Sequence, residues 1–597
     1  MNYIIENTIG ELLKDCKSEK DIEKIKVLDS SCGSGSFLIR AFEVFYDAYQ
    51  RVNAKKHAGI FHELEIRKKI LLHNLFGVDL DNRAVEIAKL NLLLKALEGL
   101  QETSVTGRKV LPNLSLNIRC GNSLVSGEYH DEYSKKQLSI FDKRSDYKSD
   151  IKTLIELKEK FYKEESNEEK NKIIDRVYTH EEKINKYLNE DLDIYFKEPD
   201  THKPFNYDVA FCEVMRNGGF NCIIGNPPYL KLTSNNTNQN LLKYYNEKYK
   251  TFSGGSSKNL FQLFIEKLSI FKPDFFALIV PEALLTSGSN GLVRQTLLEN
   301  MNLKSIALFD HFVFEDATIG STIFVAEKKE NKTSTVMKVI GRGGVIKQEK
   351  KINISDKNSE WNISTGTDYS SILNKISKNK TELQNLVVLA KGMVVQERDE
   401  AMEERKTKTN LPFILGKNMS RWTLNYTNYA TYNKLKIIGG TNKLAKHIQT
   451  PRLLVRRTGN IICATYSNTP ELVESTIYIL TSQTVPNIKI LLPILNSDVL
   501  TFYFRKKLIT NQQGFPQVQM GQLDRLPIPD LTDKSEKKTY DKLLRLCDEM
   551  LLLYQNTEKN KTKISATNSE INDLVYSIYG ISQKEKIVIE GVLAEKK

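Results

Sequence analysis

The sequence has no Cys-x-x-Cys pair and no long apolar run, and each absence excludes a class of protein. Its seven cysteines are scattered without the spacing of metal ligands, which argues against a zinc site and against a disulfide framework. The same pattern suits the reducing cytoplasm. The chain contains no signal peptide and no run of about 18 or more apolar residues, so we expect no membrane span.

The composition is that of a folded protein with a mild excess of positive charge. Of the 597 residues, 40% are apolar and 27% are charged, which is typical of globular proteins and predicts about three domains. Lysine and arginine number 87 against 74 aspartates and glutamates, a formal charge of +13. This excess permits a polyanionic partner.

A glycine-rich turn near the N-terminus predicts the first unit of a nucleotide-binding α/β fold. A strand is predicted at 25–29, the sequence SSCGSGSFL follows at 30–38, and a helical pattern comes next. Gly33 and Gly35 permit close approach of the backbone to a ligand, and the helix offers unpaired N–H groups. The spacing differs from G-x-G-x-x-G, which weakens an NAD interpretation. A tight turn without a ligand is the alternative.

An acidic residue follows near the end of the second predicted strand, at 75–80. Asp79 is placed there to accept the hydroxyls of a ribose. It lies 50 residues after Asp29 (79 minus 29), whereas a compact βαβ unit has roughly 20, so residues 51–73 should form a helical insertion. Asp81 is a candidate N-cap of the next helix, which is a purely structural role.

The third predicted strand, at 114–124, contains Asn122 close to its end. The Asn122 amide can hydrogen-bond an adenine ring or can simply make a turn, and both interpretations stay open. Residues 126–203 then interrupt the alternation of strands and helices. They are rich in Lys, Glu, Asp and Tyr and predict a long helical hairpin with solvated faces, inserted between the third and fourth strands.

The sequence NCIIGNPPY at 221–229 is the strongest candidate for chemistry. A short buried strand is predicted to end at Gly225 and to enter a turn there. The two prolines fix φ at about −65° and remove two backbone donors, which leaves carbonyl acceptors free. With the Asn226 amide and the Tyr229 ring beside them, such a turn fits a purine that carries an exocyclic amine. An ordinary proline-containing loop is the alternative.

The remaining pattern separates two regions. A helix at 260–271 and strands at 275–281, 306–314 and 321–329 should complete a mixed sheet over residues 1–330. From about 385, short β-like runs with aromatic and basic residues precede a helical tail at about 533–577. The basic residues there that are candidates for gripping a phosphate backbone are Lys417, Arg421, Arg452, Arg456 and Arg457.

In this order, the segments LDSSCGSGSF, GVDLD, CGNSL and IIGNPPYLKL resemble the motifs of the gamma class of N6-adenine DNA methyltransferases. The chain is similar above all to the methylase and specificity part of type IIG restriction-modification enzymes, over essentially its whole length. The resemblance implies a Rossmann-like, S-adenosylmethionine-dependent methyltransferase domain over 1–370, with the helical insertion at about 126–203. It implies an α+β target-recognition domain with a helical tail over 380–597.

The resemblance also assigns roles in cofactor binding. Asp79 would hold the ribose hydroxyls and Leu80 would lie against the adenine of the cofactor. Asn122 would contact the edge of that ring, at a position where the family often has aspartate. The implied cofactor-binding residues are Asp29, Gly33, Ser34, Gly35, Phe37, Asp79, Leu80 and Asn122.

The catalytic roles follow the same resemblance. Asn226 and the Pro227 carbonyl would accept the two protons of the target amine, with Pro228 completing the turn, and Tyr229 would stack on the base. Phe314 resembles a second stacking aromatic, and its alternative is a core residue.

The implied function is site-specific methylation of adenine in double-stranded DNA within a restriction-modification system, with S-adenosylmethionine as cofactor and no metal. The adenine must leave the base stack to be reached. Methylation of RNA or of a protein glutamine also uses NPPY-like turns, but the large basic C-terminal region argues against it. A catalytically weak DNA-recognition subunit is the other alternative.

One departure from the family bears on this alternative. Family members carry a Tyr-Thr-Pro-type segment before the helix that here begins NYIIENTIGEL, and type IIG enzymes carry an upstream nuclease and helical connector. We find no PD-(D/E)xK arrangement in the chain. The expectation is a truncated or split enzyme that needs an upstream nuclease or helical chain, and cleavage by this chain alone is not expected.

Overall fold

The structure is a computed structural model of the chain. It divides into two compact units, Met1–Trp361 and Asn362–Lys597. Searched over the part of the chain that the structure describes, no helix is long and apolar enough to cross a membrane. The described residues are 1–54, 60–100, 111–127, 148–164, 166–197, 202–255, 258–309, 320–328, 334–352, 354, 361, 369–378, 380–459, 461–508 and 517–594.

A mixed sheet forms the centre of the first unit. Its strands are Val27–Asp29 (β1), Leu75–Asp79 (β2), Ile118–Cys120 (β3), Cys222–Gly225 (β4), Phe275–Pro281 (β5), Asn302–Phe309 (β6), Ser321–Glu327 (β7), Thr335–Ile340 (β8) and Ile346–Ile352 (β9). Their spatial order is β3-β2-β1-β4-β5-β7-β6-β8-β9. Strands β1 to β5 run parallel, and β7 is antiparallel to both of its neighbours. The order reverses between β1 and β4, and sheets of this kind bind ligands at the carboxyl ends of the strands beside such a reversal.

Helices pack against this sheet because one side of each is apolar. In the helix Ser36–Asn53, the buried residues Leu38, Phe42 and Phe45 recur three or four positions apart, as a helix with one buried face requires. The predicted α/β class is therefore confirmed. The helices of the first unit are Asn2–Asn7, Ile9–Lys14, Glu19–Lys24, Ser36–Asn53, Ile60–Lys69, Asn82–Leu97, Lys148–Lys163, Asn167–Asn189, Tyr207–Ala210, Cys212–Met215, Gln239–Lys248, Lys250–Ser253, Leu260–Ser269, Ala283–Thr286 and Gly291–Asn300.

Two strand predictions differ from the structure. The third strand is predicted at 114–124, but only Ile118–Cys120 pairs with β2, because the residues on either side form turns. The sheet also continues past residue 330 into β8 and β9. Strand β9, with the sequence IKQEKKI, is largely exposed, so it lacks the alternation of buried and exposed residues from which a strand is predicted.

The insertion between β3 and β4 contains a helical hairpin, as predicted. Its helices, Lys148–Lys163 and Asn167–Asn189, do not expose all of their charges, however. Lys158 is fully buried, 3.4 Å from Glu181 and 3.1 Å from Glu213, and Glu181 pairs with Arg119 of β3 at 2.5 Å. The expectation of solvated charge is therefore wrong at these positions, and the buried pairs attach the hairpin to the sheet.

The second unit has the predicted α+β character with a helical tail. In spatial order, the strands Val387–Lys391, Ile477–Ser482, Arg452–Arg456 and Ala464–Ser467 form an antiparallel sheet. Short strands surround it, among them the pair Val394–Val395 and Ile437–Gly439. The helices are Ser370–Ser377, Leu444–Ile448, Leu491–Leu495, Asp498–Tyr503, Met520–Asp524, Lys537–Leu553, Thr557–Ile578 and Gln583–Ala594.

Candidate active site

A pocket of about 510 Å³ opens at the carboxyl ends of β1 to β4 in the first unit. Its volume is in the range of small-molecule sites. Each of the four adjacent strands contributes the residues that follow it, as expected beside a reversal of strand order. These residues are Ser30 and Ser31 after β1, Asp79 and Leu80 at the end of β2, Gly121 to Leu124 after β3, and Asn226 and Pro228 after β4.

Asp79 connects the glycine-rich loop to the end of β2. Its Oδ2 accepts the backbone N–H of Gly33 at 2.8 Å, and its Oδ1 accepts that of Asp81 at 2.9 Å. Because a carboxylate offers about four acceptor sites, Asp79 can still accept hydroxyl groups from the pocket. Asp81 has the structural role that its position suggested: it caps the helix Asn82–Leu97 by accepting the Arg83 N–H at 2.9 Å.

An apolar surface and open space adjoin this carboxylate. Leu80 is 55% exposed and lines the pocket. Gly33 adopts φ +53°, and a Cβ built there would meet nothing within 4 Å. An acidic acceptor, an exposed apolar face and an open glycine turn fit a ribose, a flat base and a polar tail. These are the parts of S-adenosylmethionine, so the residues present fit that cofactor.

Asp29, the last residue of β1, lies beneath the pocket and is 1% exposed. Burial raises its pKa to about 7; the hydrogen bond from the Ser31 N–H lowers the pKa, and the nearby Asp79 charge raises it. That bond measures 3.1 Å. A Cβ on Gly225 would come within 2.8 Å of Asp29 Oδ1, so the absence of a side chain at residue 225 lets β4 approach this carboxyl.

The NPPY turn follows β4 directly and is held from the other side by its continuation. The N–H of Leu232 donates to the Lys258 carbonyl at 2.9 Å, and the N–H of Leu260 donates to the Leu230 carbonyl at 3.0 Å. Pro227 is buried and Pro228 is exposed at the pocket. These contacts fix the turn against the start of the helix Leu260–Ser269.

The side chains of the turn combine an aromatic ring with acceptors. Tyr229 packs edge-on against Phe261 with ring centroids 6.4 Å apart. Asn226 Oδ1 is buried and has no hydrogen-bond partner among the described residues. Within that same part of the chain, no backbone N–H donates to the Pro227 carbonyl. An unpaired buried acceptor costs about 1–3 kcal/mol, so its presence calls for a donor that the described protein groups do not supply.

Asn122 is part of a turn and also lines the pocket. Its Oδ1 accepts the Leu124 N–H at 3.0 Å, and its own N–H donates to the Lys203 carbonyl at 2.7 Å. Tyr245 also lines the pocket; burial raises the pKa of its hydroxyl, and the Asn122 side chain acts in the opposite direction. The turn-forming interpretation is therefore present in the structure, and the pocket location keeps the ring contact as a proposal.

Not every residue that the resemblance implied reaches the pocket. Phe37 is 7% exposed and packs in the hydrophobic core. Gly35 adopts φ +85°, and a Cβ there would lie 3.2 Å from the Ala88 side chain, so it permits close packing of two helices. Ser34 is exposed, and its carbonyl accepts a hydrogen bond from the Asn91 side chain at 3.0 Å. Phe314 lies outside the described residues.

Sequence reasoning missed part of the pocket wall. Ser30 and Ser31 stand inside the quoted motif but were not assigned a role, although they directly follow β1. On the opposite side, Asn236, Thr237 and Tyr245 line the pocket. The polar segment TSNNTNQN at 233–240 could have indicated a binding loop. Nothing in the sequence, however, showed that this segment folds back onto the pocket.

The basic residues predicted to grip phosphate in the second unit are corrected in part. Arg452 is fully buried, and its guanidinium pairs with the equally buried Glu471. Arg421 donates to the Ile462 carbonyl at 3.0 Å and to Thr501 Oγ1 at 2.8 Å. Arg452 is therefore a core ion pair and cannot contact DNA, whereas Lys417 is exposed.

Comparison with known protein families agrees with this arrangement. The family described as N-6 DNA Methylase matches residues 5–112, and the Eco57I restriction-modification methylase family matches residues 73–314. The TaqI-like C-terminal specificity domain matches residues 411–528. The chain is therefore similar to a restriction-modification methylase over residues 5–314 and to a specificity domain over residues 411–528, which confirms the resemblance of its motifs.

Individual relatives carry the same descriptions. A putative type II restriction enzyme and methyltransferase of Methanocaldococcus jannaschii is 27% identical over 94% of this chain and 52% of its own length. The type II restriction enzyme and methyltransferase RM.Eco57I of Escherichia coli is 27% identical over 55% of this chain and 27% of its own length. The chain thus spans about half of the length of the first relative and about a quarter of the length of the second.

Solved structures share the fold at low identity. The type IIL restriction-modification enzyme MmeI, in complex with DNA, matches with a TM-score of 0.54 and 12% identity, over 99% of this chain and 74% of that one. A nuclease-deletion mutant of the type ISP enzyme LlaGI, with a DNA substrate mimic, matches with a TM-score of 0.52 and 12% identity, over 91% and 46%.

Proposed function

We propose that the chain transfers a methyl group from S-adenosylmethionine to the exocyclic amine of an adenine in double-stranded DNA, as the modification activity of a restriction-modification system. The single observation that carries this proposal is the unpaired, buried Oδ1 of Asn226 at the carboxyl end of β4, beside the Pro227 carbonyl. Two acceptors without donors, in a turn that also carries Tyr229, match an amine with two protons on a flat ring.

The residues of the NPPY turn act on the target amine, and other residues of the pocket would hold the cofactor. When bound, S-adenosylmethionine supplies the methyl group: the amine nitrogen forms the new N–C bond, the electron pair of the S–C bond stays on sulfur, and the nitrogen releases one proton. Asn226 Oδ1 and the Pro227 carbonyl accept hydrogen bonds from the two amine N–H groups and favour a tetrahedral nitrogen, whose lone pair is then free for attack; the proton that the nitrogen loses passes to water. Tyr229 stacks on the flipped base, and positioning and electrostatics supply most of the rate.

The cofactor would be held by the other half of the pocket. Asp79 would accept the ribose hydroxyls, Leu80 would cover one face of the adenine, and Asn122 would meet the edge of that ring. Gly33, where no protein atom would meet a Cβ, leaves room for the polar tail of the cofactor. Asp29 would support the loop at this end of the site by accepting the Ser31 N–H.

Two features favour DNA over RNA and protein as the target. The chain carries a formal charge of +13, which suits a polyanion. The match to a specificity domain at 411–528 and the relatives' descriptions as restriction enzymes and methyltransferases support DNA rather than RNA or protein.

All seven cysteines, each among the described residues, are free thiols, which supports action in a reducing cytoplasm.

The direct test is methyl transfer from labelled S-adenosylmethionine to unmethylated genomic DNA, followed by digestion to nucleosides. The expected product is N6-methyladenine, and Asn226→Ala should reduce its formation by a factor of about 10²–10³, the typical loss on removing a transition-state hydrogen bond. Label in cytosine, or a normal rate in the Asn226→Ala protein, would refute the proposal. Equal transfer to RNA of the same sequence would refute DNA as the target.

A matched asparagine at the other end of the same segment supplies the control. Asn221 Oδ1 accepts the Lys26 N–H at 2.9 Å, and its amide donates to Asp274 at 2.9 Å. Asn221→Ala should therefore lower the free energy of unfolding by about 1–3 kcal/mol while the folded protein still transfers methyl groups. Asn226→Ala should leave the free energy of unfolding nearly unchanged and should lose methyl transfer. The Oδ1 that it removes makes no hydrogen bond in the described structure.

A second candidate is a DNA-recognition subunit with weak transfer of its own, which an upstream nuclease or helical chain completes. The first relative, of which this chain spans 52% of the length, supplies a test. Titrating the chain with the part of that relative outside the match distinguishes the two candidates. A large gain in kcat supports the subunit, whereas full transfer by the chain alone supports the self-sufficient enzyme.

A further inference from the structure

A long stretch of the second unit contains no acidic residue. Between Glu404 and Glu471 the chain has 66 residues, 405–470, with twelve lysines and arginines and no aspartate or glutamate. At the average of the whole chain, 74 acids in 597 residues, such a stretch would hold eight. The charge of this region is therefore strongly one-sided, and this stands out from the mild excess of the protein as a whole.

Part of this stretch, residues 434–448, presents its cations outward in a regular way. Along 434–438 exposure alternates: Lys434, Lys436 and Ile438 are exposed, whereas Leu435 and Ile437 pack on a small apolar cluster that includes Met393, Phe413 and Leu472. The helix Leu444–Ile448 continues the pattern with exposed Lys446. We call the exposed set the lysine ridge; its members are Lys434, Lys436, Ile438, Lys443 and Lys446.

The lysine ridge is held in one conformation by contacts beneath it. The Tyr432 hydroxyl bonds the Asn442 carbonyl, which closes the segment on itself. His447 is fully buried, with its Nε2 2.8 Å from the Thr441 carbonyl oxygen and its Nδ1 accepting the Val473 N–H at 3.2 Å. Gly440 adopts φ +74°, and a Cβ there would lie 2.1 Å from the Gly392 carbonyl oxygen. A surface fixed in this way loses little conformational entropy on binding.

Two features of the lysine ridge are not explained by contacts among the described residues. Among the described residues, none of its four lysines forms an ion pair. Ile438 is 63% exposed, directly before Gly439 and Gly440. Isolated exposed apolar residues are common, but one with exposed lysines on both sides of it along the chain matches a DNA-binding surface, where lysines contact phosphates and an apolar tip contacts base edges.

We propose that the lysine ridge is a docking surface for double-stranded DNA, with its lysines on the phosphate backbone and Ile438 against base edges in the groove. The choice of occupant rests on charge complementarity with a regular polyanion. The inference deepens the proposed function and rests on it, because it names the surface by which the specificity domain would hold the DNA. RNA and acidic proteins are the occupants that the test below must separate.

The first test compares matched charge variants. Lys434→Gln with Lys436→Gln removes two ridge cations, and Lys561→Gln with Lys563→Gln removes two exposed cations from the helix Thr557–Ile578. Binding to a fluorescent duplex is measured over a range of salt. Each phosphate contact contributes about 0.9 to the slope of log K against log salt, so the ridge variant should lose about 1.8 of slope and bind about 30-fold more weakly at about 0.15 M salt. The helix variant should match the unsubstituted protein.

The second test concerns the apolar tip. Ile438→Ala should weaken duplex binding about tenfold without changing the salt slope, and should alter the set of adenines methylated in genomic DNA. Ile587→Ala is the matched control, since Ile587 is 62% exposed in the helix Gln583–Ala594. Thermal unfolding followed through tryptophan fluorescence checks that each variant keeps the fold.

The outcomes separate the two hypotheses. If the unsubstituted chain neither binds nor methylates duplex DNA, the proposed function fails and the inference fails with it. If the unsubstituted chain binds duplex DNA and the ridge variants behave like their controls, only the inference is overturned. Equal binding of duplex RNA, lost in the ridge variants, would overturn DNA as the occupant.

Discussion

Replacing Asp29 by asparagine should change how the stability of the first unit depends on pH. The carboxyl is 1% exposed, and burial raises its pKa from 3.8 to about 7. For an acid with a raised pKa, the folded state disfavours the ionised form. The cost is therefore absent below pH 3.8, grows as the pH rises, and is fully present above pH 7. Asparagine keeps the acceptor for the Ser31 N–H and cannot ionise.

The size of the effect follows from these two pKa values. The difference between 3.8 and 7 corresponds to a total cost of about 4.4 kcal/mol. By pH 5 the unfolded carboxyl is already ionised, and about 1.7 kcal/mol of this cost is present; about 2.6 kcal/mol more appears between pH 5 and pH 8. Over that interval the parent protein should lose about 2.6 kcal/mol of stability relative to Asp29→Asn.

The sequence provides a selective assay, because it has two tryptophans and each unit contains one. Both are buried, Trp361 in the first unit and Trp422 in the second. In a Trp422→Phe background, denaturant titration followed by fluorescence reports unfolding of the first unit alone. Other groups that titrate between pH 5 and pH 8 are shared by the two proteins and cancel in the difference.

A control and a clear refutation complete the experiment. Asp81→Asn removes a carboxylate from the exposed end of the same edge and keeps a side chain that can cap the helix, so it should follow the parent. If Asp29→Asn and the parent keep a constant difference from pH 5 to pH 8, the Asp29 carboxyl ionises as easily in the folded protein as in the unfolded chain. The account of its burial would then be wrong.

Other substitutions test the core, a turn and the target site. Glu471→Ala leaves the buried Arg452 guanidinium without its counter-charge and should lower the free energy of unfolding of the second unit by about 3–5 kcal/mol, measured by denaturation; a loss within experimental error would contradict the pairing. Gly440→Ala places a Cβ against a carbonyl and should destabilise the same unit far more than Gly580→Ala, which has φ +66° but open space; equal melting temperatures would contradict the geometry. Tyr229→Phe keeps a stacking ring and should retain most methyl transfer, whereas Tyr229→Ala should lose it, with transfer rates as the measurement; equal rates would argue against stacking.

The fold of the first unit could be predicted because its signals are local. A buried β1 ending in Asp29, a turn with two left-handed glycines and a following amphipathic helix each impose their own pattern on consecutive residues. The same holds for β4 and the NPPY turn. Asp79 could be placed in the pocket because the carboxyl ends of neighbouring parallel strands meet at one edge.

The features that were missed depend on distant partners. Arg452 stands in a sequence of exposed-looking basic residues, and nothing local shows that Glu471 neutralises it in the core. Lys158 is buried by Glu181 and Glu213, which lie 23 and 55 residues further on (181 and 213 minus 158). Tyr245 reaches the pocket only because the chain folds back after the NPPY turn. The sequence shows that these side chains are charged, but only tertiary contacts determine whether they are buried or exposed to solvent.

Two groups of the first unit that burial disfavours follow neighbouring strands at one edge of its sheet. Asp29 ends β1 and carries the cost of an ionised, buried carboxyl above pH 7, and Asn226 follows the neighbouring β4 with an acceptor left unpaired. Apolar residues at these positions would be more stable, because the one Ser31 N–H does not offset the burial of the Asp29 carboxyl and no described residue donates to Asn226 Oδ1. Sequences depart from local optimality mainly where function requires it. The occurrence of both beside a pocket built from four adjacent loops therefore favours a ligand site over a structural defect, and under the proposed function we expect the substrate to supply the donor for Asn226.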